Sequence, residues 1–84
     1  MAFNIRIVDD ALKDLDLIPK ADARRILEKI ESQLPVTALQ EKLLKGKYRG
    51  LRRMRVGIYR VIFTIREDTV VILQIADRKE IYRR

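Results

Sequence analysis

The sequence predicts an α+β fold in which a helical hairpin packs on one face of an antiparallel sheet. Apolar residues alternate with polar ones near the start, recur at helical spacing in the next stretch, and alternate again through most of the second half. Helices that precede a run of strands are typical of an α+β layer, and the expected order is β-α-α-β-β-β. A chain of 84 residues leaves no room for a second domain, so we expect residues 1–84 to form one.

The first strand and the first helix follow from short patterns. Phe3, Ile5 and Ile7 alternate with polar residues, as in a strand with one buried face. An acidic residue, Asp9 or Asp10, can then cap a helix. Three apolar positions of this helix are spaced by three residues: Leu12, Leu15 and Ile18.

Two prolines are predicted to bound the second helix. Pro19 separates it from the first, because proline disfavours a helical residue before it and suits a first helical turn. Pro35 is predicted to end it. Residues 36–47 have no single pattern and could form a helical turn or a packed loop. The second helix carries one apolar stripe: Ala23, Ile26, Leu27, Ile30 and Leu34.

A basic strand and a longer apolar strand are predicted next, joined by a turn at Gly57. The second of these strands, Ile58–Arg66, places Tyr59 on one side and Arg60 on the other. The first has two unlike faces, one with Arg52, Met54 and Val56 and the other with Leu51, Arg53 and Arg55.

The last predicted strand, Thr69–Ala76, follows a hairpin turn at Glu67 and Asp68. It is apolar at nearly every position, which is typical of a central strand that is covered on both faces. The chain then leaves the sheet, with room for a short last strand through residues 81–82.

The positive charge is concentrated in one half of the chain. The sequence has 19 Lys and Arg against 12 Asp and Glu, a net charge of +7. Residues 1–41 contain 6 basic and 8 acidic side chains, whereas residues 42–84 contain 13 and 4, so the two halves carry −2 and +9. Uncompensated cations repel one another, and a polyanionic partner would relieve the cost. Eight of them occur without an acidic residue among them: Lys42, Lys45, Lys47, Arg49, Arg52, Arg53, Arg55 and Arg60.

The composition excludes several classes of protein. Without histidine or cysteine, the chain has no zinc finger, disulfide or Cys/His catalytic site, and we expect no metal and no cofactor. No apolar run approaches the ~20 residues that span a membrane, so we expect no membrane partner. The first ten residues lack the pattern of a signal peptide, which favours a cytoplasmic protein.

Three arginines are predicted to converge on the sheet face opposite the helices. Arg53, Arg55 and Arg60 share that face by strand alternation, and Arg78 could join them from the end of the last strand. Guanidinium groups match phosphate oxygens bidentately, so this arrangement suits a nucleic-acid backbone. The alternative is that these arginines pair with the four acidic residues of the same half, which are too few to neutralise it.

The three tyrosines bear on which nucleic acid could bind, because stacking on a tyrosine favours a single strand over a duplex. Tyr59 is predicted to face the core and to be structural. Tyr82 lies in a polar terminal segment, where it could stack on a base or pack over the sheet edge. The pattern does not place Tyr48.

Two stretches of the chain, residues 43–63 and 77–82, resemble the RelE/ParE toxin superfamily, and in particular its RelE branch. The most specific motifs are Arg-Met-Arg-Val-Gly-Ile-Tyr-Arg at residues 53–60 and Arg-Lys-Glu-Ile-Tyr at residues 78–82. The resemblance covers essentially the whole chain. It implies a RelE-like fold and the toxin of a type II toxin–antitoxin system. Such a toxin enters the ribosomal A site and cleaves mRNA by attack of a 2′-hydroxyl, with the ribosome, mRNA and a cognate antitoxin as partners.

The resemblance also implies roles for particular residues. Arg60 corresponds to the arginine that stabilises the phosphorane, and Tyr82 to a tyrosine that stacks on a base or transfers a proton. Arg53 and Arg78 match further positions of the catalytic set. The remaining basic residues of the motif region are expected to bind RNA: Lys45, Lys47, Arg52, Arg55 and Arg83.

Two departures from the family pattern leave the general base unassigned. Leu51 stands where some members have lysine, and Asp77 stands where many have histidine. Asp77 could replace the base or pair with Arg78. Two alternatives therefore stay open: a ParE-like inhibitor of DNA gyrase, and a catalytically weakened member that only binds RNA.

Overall fold

The computed structural model describes residues 2–77. It contains one five-stranded sheet, three α-helices and two short 3-10 turns. The strands are β1 Asn4–Ile7, β2 Lys42–Leu43, β3 Arg52–Val56, β4 Tyr59–Arg66 and β5 Thr69–Asp77. The helices are α1 Asp9–Asp16, α2 Lys20–Ser32 and α3 Leu34–Thr37, and the 3-10 turns are Ala38–Gln40 and Gly46–Tyr48.

The predicted α+β class and order of elements are confirmed, but the sheet is mixed rather than wholly antiparallel. Its order is β1-β5-β4-β3-β2. All neighbours are antiparallel except β1, which runs parallel to β5 with Ile5 opposite Val70. Alternation within β1 shows which of its faces is buried, but not whether the strand runs parallel or antiparallel to its neighbour. The neighbour, β5, lies far along the sequence.

The segment around Pro35 differs from the prediction. The second helix ends at Ser32, and Pro35 lies in the first turn of α3. Proline is well tolerated there because the first turn leaves N–H groups unpaired in any case. The Pro35 carbonyl accepts a hydrogen bond of 2.9 Å from the Phe3 N–H, which ties α3 to the start of β1.

The helices cover one face of the sheet and form the main core with it. Burial of each large aliphatic side chain contributes roughly 1.5–3 kcal/mol, so this layer supplies most of the stability. We call the opposite sheet face the distal face. β5 is interior to the sheet, as predicted, but on the distal face its residues Val71, Leu73 and Gln74 are only half-buried. The central core residues come from α1, α2 and α3 and from three strands: Ala11, Leu15, Ile26, Ile30, Leu34, Met54, Val56, Val61, Phe63, Val70, Ile72 and Ile75.

A buried carboxylate joins α1 to β5. β1 ends opposite Ile72, whereas β5 continues beyond it. The N–H of Ile75, past the end of β1, donates a hydrogen bond of 2.9 Å to the Asp14 carboxylate. Asp14 is only 5% exposed, so this bond offsets part of the cost of burying its charge. The first helix is thereby fixed along β5.

None of the helices in residues 2–77 is long and apolar enough to cross a membrane.

We expect Asp14→Ala to lower the free energy of unfolding by about 1–3 kcal/mol, because it leaves the Ile75 N–H without its acceptor. Urea denaturation followed by circular dichroism measures the change. Asp16→Ala is the matched control, since Asp16 is an exposed acid of the same helix. Equal stability of the two variants would contradict a role for the Asp14 bond.

Candidate functional site

Strand register brings four cations together on the distal face. Lys42 lies opposite Arg53 across β2 and β3, and Arg55 lies opposite Arg60 across β3 and β4. Because Met54, between the two β3 arginines, is buried against the helices, all four cations belong to the other face. We call Lys42, Arg53, Arg55 and Arg60 the cationic cluster. Like charges directly opposite each other destabilise a sheet, and an anion that bridges them removes that cost.

Arg60 is the buried member of the cluster. Its side chain is 6% exposed and lies between Arg55 on β3 and Ala76 on β5. Arg55 is exposed. A guanidinium keeps its charge when buried, and a packed side chain loses little conformational entropy on binding a ligand. Arg60 therefore carries a positive charge that is held by packing, whereas the Arg55 side chain is open to solvent.

The distal face carries buried apolar side chains as well as cations. Ile62 and Ala76 are buried there, with Leu44 and Leu51 packed against them. This small apolar cluster adjoins the cations, and it gives Leu51, the residue directly before β3, a role in packing. Its side chain stabilises the distal face and offers no proton-transfer group.

The β3–β4 turn closes one end of the cluster. Val56 pairs with Tyr59, so Gly57 and Ile58 form a two-residue loop. Gly57 has φ +59°, and Ile58 is not in the left-handed region, which is the pattern of a type II′ turn. A concavity of about 280 Å³ lies at this end and is lined by Arg55, Gly57, Ile58, Tyr59 and Arg60.

Tyr59 has the structural position that the sequence predicted. Its ring packs against the main core, and its hydroxyl donates a hydrogen bond of 3.2 Å to the Asp22 carboxylate of α2. Arg25 forms a salt bridge of 3.1 Å with the same carboxylate. The turn is thereby anchored to the helical layer.

The structure separates Arg52 from the cationic cluster. Arg52 alternates with Arg53 and lies on the side of Met54, as predicted. Its guanidinium donates hydrogen bonds to the main-chain carbonyls of Leu39 at 3.3 Å and Glu41 at 3.0 Å. It holds the connection between the first 3-10 turn and β2.

Lys45 and Lys47 lie in the connection between β2 and β3, and both are exposed. The Lys47 ammonium is 5.4 Å from the centre of the Tyr48 ring, close enough for a cation–π interaction. Tyr48, which the sequence pattern did not place, is half-buried within the second 3-10 turn.

The end of β5 lies beside the β3–β4 turn, because Asp77 pairs with Tyr59. The next residue in the chain is Arg78, which the sequence predicted near the arginines. Arg78, Tyr82 and Arg83, and the short strand predicted through residues 81–82, lie outside the described residues. Within residues 2–77, sequence reasoning missed Lys42 as a member of the cluster, because β2 is too short to show alternation.

The chain matches the family model described as the ParE toxin of the type II toxin–antitoxin system parDE, over residues 5–82. No curated protein shows significant sequence similarity to it.

Several solved structures are similar to the chain over nearly its whole length. The RelBE2 toxin–antitoxin complex of Mycobacterium tuberculosis contains a chain with 27% identity and a TM-score of 0.87, with 93% of this chain and 100% of that one covered. The archaeal RelE–RelB complex of Pyrococcus horikoshii has 31% identity and a TM-score of 0.67, with 93% and 97% covered. The ParDE system of P. aeruginosa has 19% identity and a TM-score of 0.75, with 90% and 96% covered. These similarities confirm the RelE-like fold that the sequence predicted.

We expect Arg55→Gln to raise the free energy of unfolding at low salt by about 0.2–1 kcal/mol, because it removes a like-charge pair with Arg60. The gain should shrink at high salt, where the repulsion is screened. Urea denaturation in a phosphate-free buffer at two ionic strengths measures both effects. Arg24→Gln is the control, since this exposed α2 arginine lies four residues before Glu28 and gains nothing from the change. A stability change that is independent of salt would contradict the electrostatic explanation.

Proposed function

Because the chain belongs to the ParE toxin family of type II toxin–antitoxin systems, within the RelE/ParE superfamily, we propose that it is a ribosome-dependent endoribonuclease that cleaves mRNA in the A site. The observation that carries the proposal is the cationic cluster, in which Arg55 and Arg60 face each other across two strands. Paired guanidinium groups suit a phosphodiester whose charge increases during the reaction.

The proposed reaction is an internal transesterification of RNA. The 2′-oxygen attacks the adjacent phosphorus and loses its proton, while the bond from phosphorus to the 5′-oxygen breaks and that oxygen gains a proton. The products are a 2′,3′-cyclic phosphate and a 5′-hydroxyl. Arg60, held by packing, stabilises the extra negative charge of the phosphorane, and Arg53 and Arg55 orient the phosphate. In this proposal Arg78 and Tyr82 complete the catalytic set, and Tyr82 takes part in base stacking or proton transfer.

Electrostatic stabilisation and imposed geometry supply most of the rate in this proposal. Leu51 packs in the distal apolar cluster. It occupies the position at which some members of the family have a lysine that could act as the base. Arginine keeps its proton throughout the accessible pH range and cannot take that role. A ribosome that holds the mRNA with its 2′-oxygen in line supplies the orientation, which is worth several orders of magnitude by itself.

The proposed partners are the ribosome with its mRNA and a cognate antitoxin. Two of the similar structures are toxin–antitoxin complexes. The cationic cluster gives an acidic or amphipathic antitoxin segment a complementary surface, and Lys45, Lys47 and Arg83 extend the basic surface proposed to bind RNA.

A second candidate function is inhibition of DNA gyrase without cleavage. Two observations favour it: the matching family model is that of the ParE toxin, and the distal face carries leucine at position 51.

We expect the purified chain to cut mRNA at the A-site codon of a programmed ribosome complex and Arg60→Ala to slow cleavage by about 10²–10³-fold. Arg60→Lys should have an intermediate rate, because lysine keeps the charge but not the fork of donors. Primer extension on the recovered mRNA gives the rates. Arg24→Ala, on the helical side, is the control, and unfolding midpoints show whether each variant is folded.

Two outcomes separate the candidates, and a third tests the role of Arg60. Intact mRNA with the wild-type chain, together with inhibited supercoiling when the chain is added to DNA gyrase, would establish the second candidate in place of the first. Salt-sensitive RNA binding with neither activity would identify a binding member of the family. Cleavage that survives Arg60→Ala in a folded variant would exclude Arg60 as the phosphate-stabilising group.

A further inference from the structure

We propose that Ile58 forms a nucleobase subsite beside the arginines of the cationic cluster. In this arrangement Arg55 and Arg60 bind a phosphate of the RNA, and the Ile58 side chain packs on the base of the same or the neighbouring nucleotide. The proposal rests on the proposed function, since it needs an RNA strand on the distal face.

The first supporting observation is that Ile58 is exposed to solvent directly beside Arg55 and Arg60. Ile58 is 69% exposed, and its side chain lines the 280 Å³ concavity together with two arginines. The turn itself requires only glycine at its first central position, so the apolar residue in the second position does not serve the turn. The other exposed large apolar side chains of residues 2–77 lie elsewhere, on α1 or directly after it, in α3, in the first 3-10 turn and in β2: Leu12, Leu17, Val36, Leu39 and Leu43.

The second observation is that Ile58 is held in place. Gly57 fixes the turn at φ +59°, and the neighbouring Tyr59 is hydrogen-bonded to Asp22 of α2. A β-branched side chain has few rotamers, which lowers the entropy it loses on contact. A rigid apolar side chain next to a fixed charge is preorganised for a ligand with both kinds of group.

A nucleotide is the ligand that combines these chemistries at short range. Its phosphate needs cations, and its base presents a face that aromatic side chains stack on and apolar side chains can contact. Isoleucine is among the side chains that nucleic-acid-binding proteins use against bases. An inorganic anion would use the arginines alone. An acidic amphipathic peptide would use both kinds of group, so antitoxin binding is measured beside RNA binding in the test.

We expect Ile58→Ser to weaken binding of a short single-stranded RNA that carries a fluorescent base analogue by about five- to tenfold. The slope of log affinity against log salt should stay unchanged, because the substitution removes no phosphate contact. Arg55→Gln should instead reduce both the affinity and the slope. Ile58→Leu should retain wild-type affinity, and Leu17→Ser, an exposed leucine at the end of α1, is the matched control.

On ribosomes, Ile58→Ser should raise the concentration for half-maximal cleavage and flatten the preference among A-site codons, with a smaller effect on the rate at saturation. Wild-type affinity and codon preference in the folded variant would overturn the subsite and leave the cleavage proposal intact. If Ile58→Ser weakens antitoxin binding and leaves RNA binding unchanged, Ile58 belongs to a protein interface. That result would also overturn the nucleobase subsite. If the wild-type chain does not cleave, the proposed function fails by itself, and the oligonucleotide experiment still decides the subsite.

Discussion

The hydrogen bond between the Asp14 carboxylate and the Ile75 N–H is a buried polar link between the helical layer and the sheet. It lies where β1 has ended and β5 continues, so α1 takes the place of a strand neighbour at that point. Ile75 precedes Ala76, the residue opposite Arg60. The Ile75 N–H is held by Asp14 of α1, and the next residue of β5, Ala76, is the one against which the buried Arg60 packs. The helical layer therefore supports the site although no residue of the cationic cluster comes from it.

The cationic cluster places repulsion inside a well-packed sheet. Two like-charge pairs across β2, β3 and β4 oppose pairing of these strands. The burial of Val61, Phe63 and their neighbours against the helices outweighs that repulsion. Ile62 and Ala76 add a second, smaller apolar contact on the distal face itself. In the proposed function this is the surface that binds the RNA backbone, so the cluster would be a place where stability is traded for function.

Local alternation predicted the positions of these side chains better than it predicted the arrangement of the sheet. The shared face of Arg53, Arg55 and Arg60 and the core position of Tyr59 depend only on a period of two within one hairpin, and both are confirmed. The parallel direction of β1 and the presence of β2 depend on partners elsewhere in the chain, which a periodicity does not encode. The burial of Arg60 was missed for the same reason, since its neighbour Ala76 belongs to another strand.

The parallel pairing of β1 with β5 also orders events during folding. Asn4 pairs with Thr69, 65 residues further along the chain. The β3–β4 hairpin can form locally, but closing the β1–β5 pair carries the loop entropy of nearly the whole chain. Until then the buried stripes of α1 and α2 have no complete sheet to cover. We therefore expect the first strand of the sequence to be among the last to pair, and α1 depends on β5 for part of its stability.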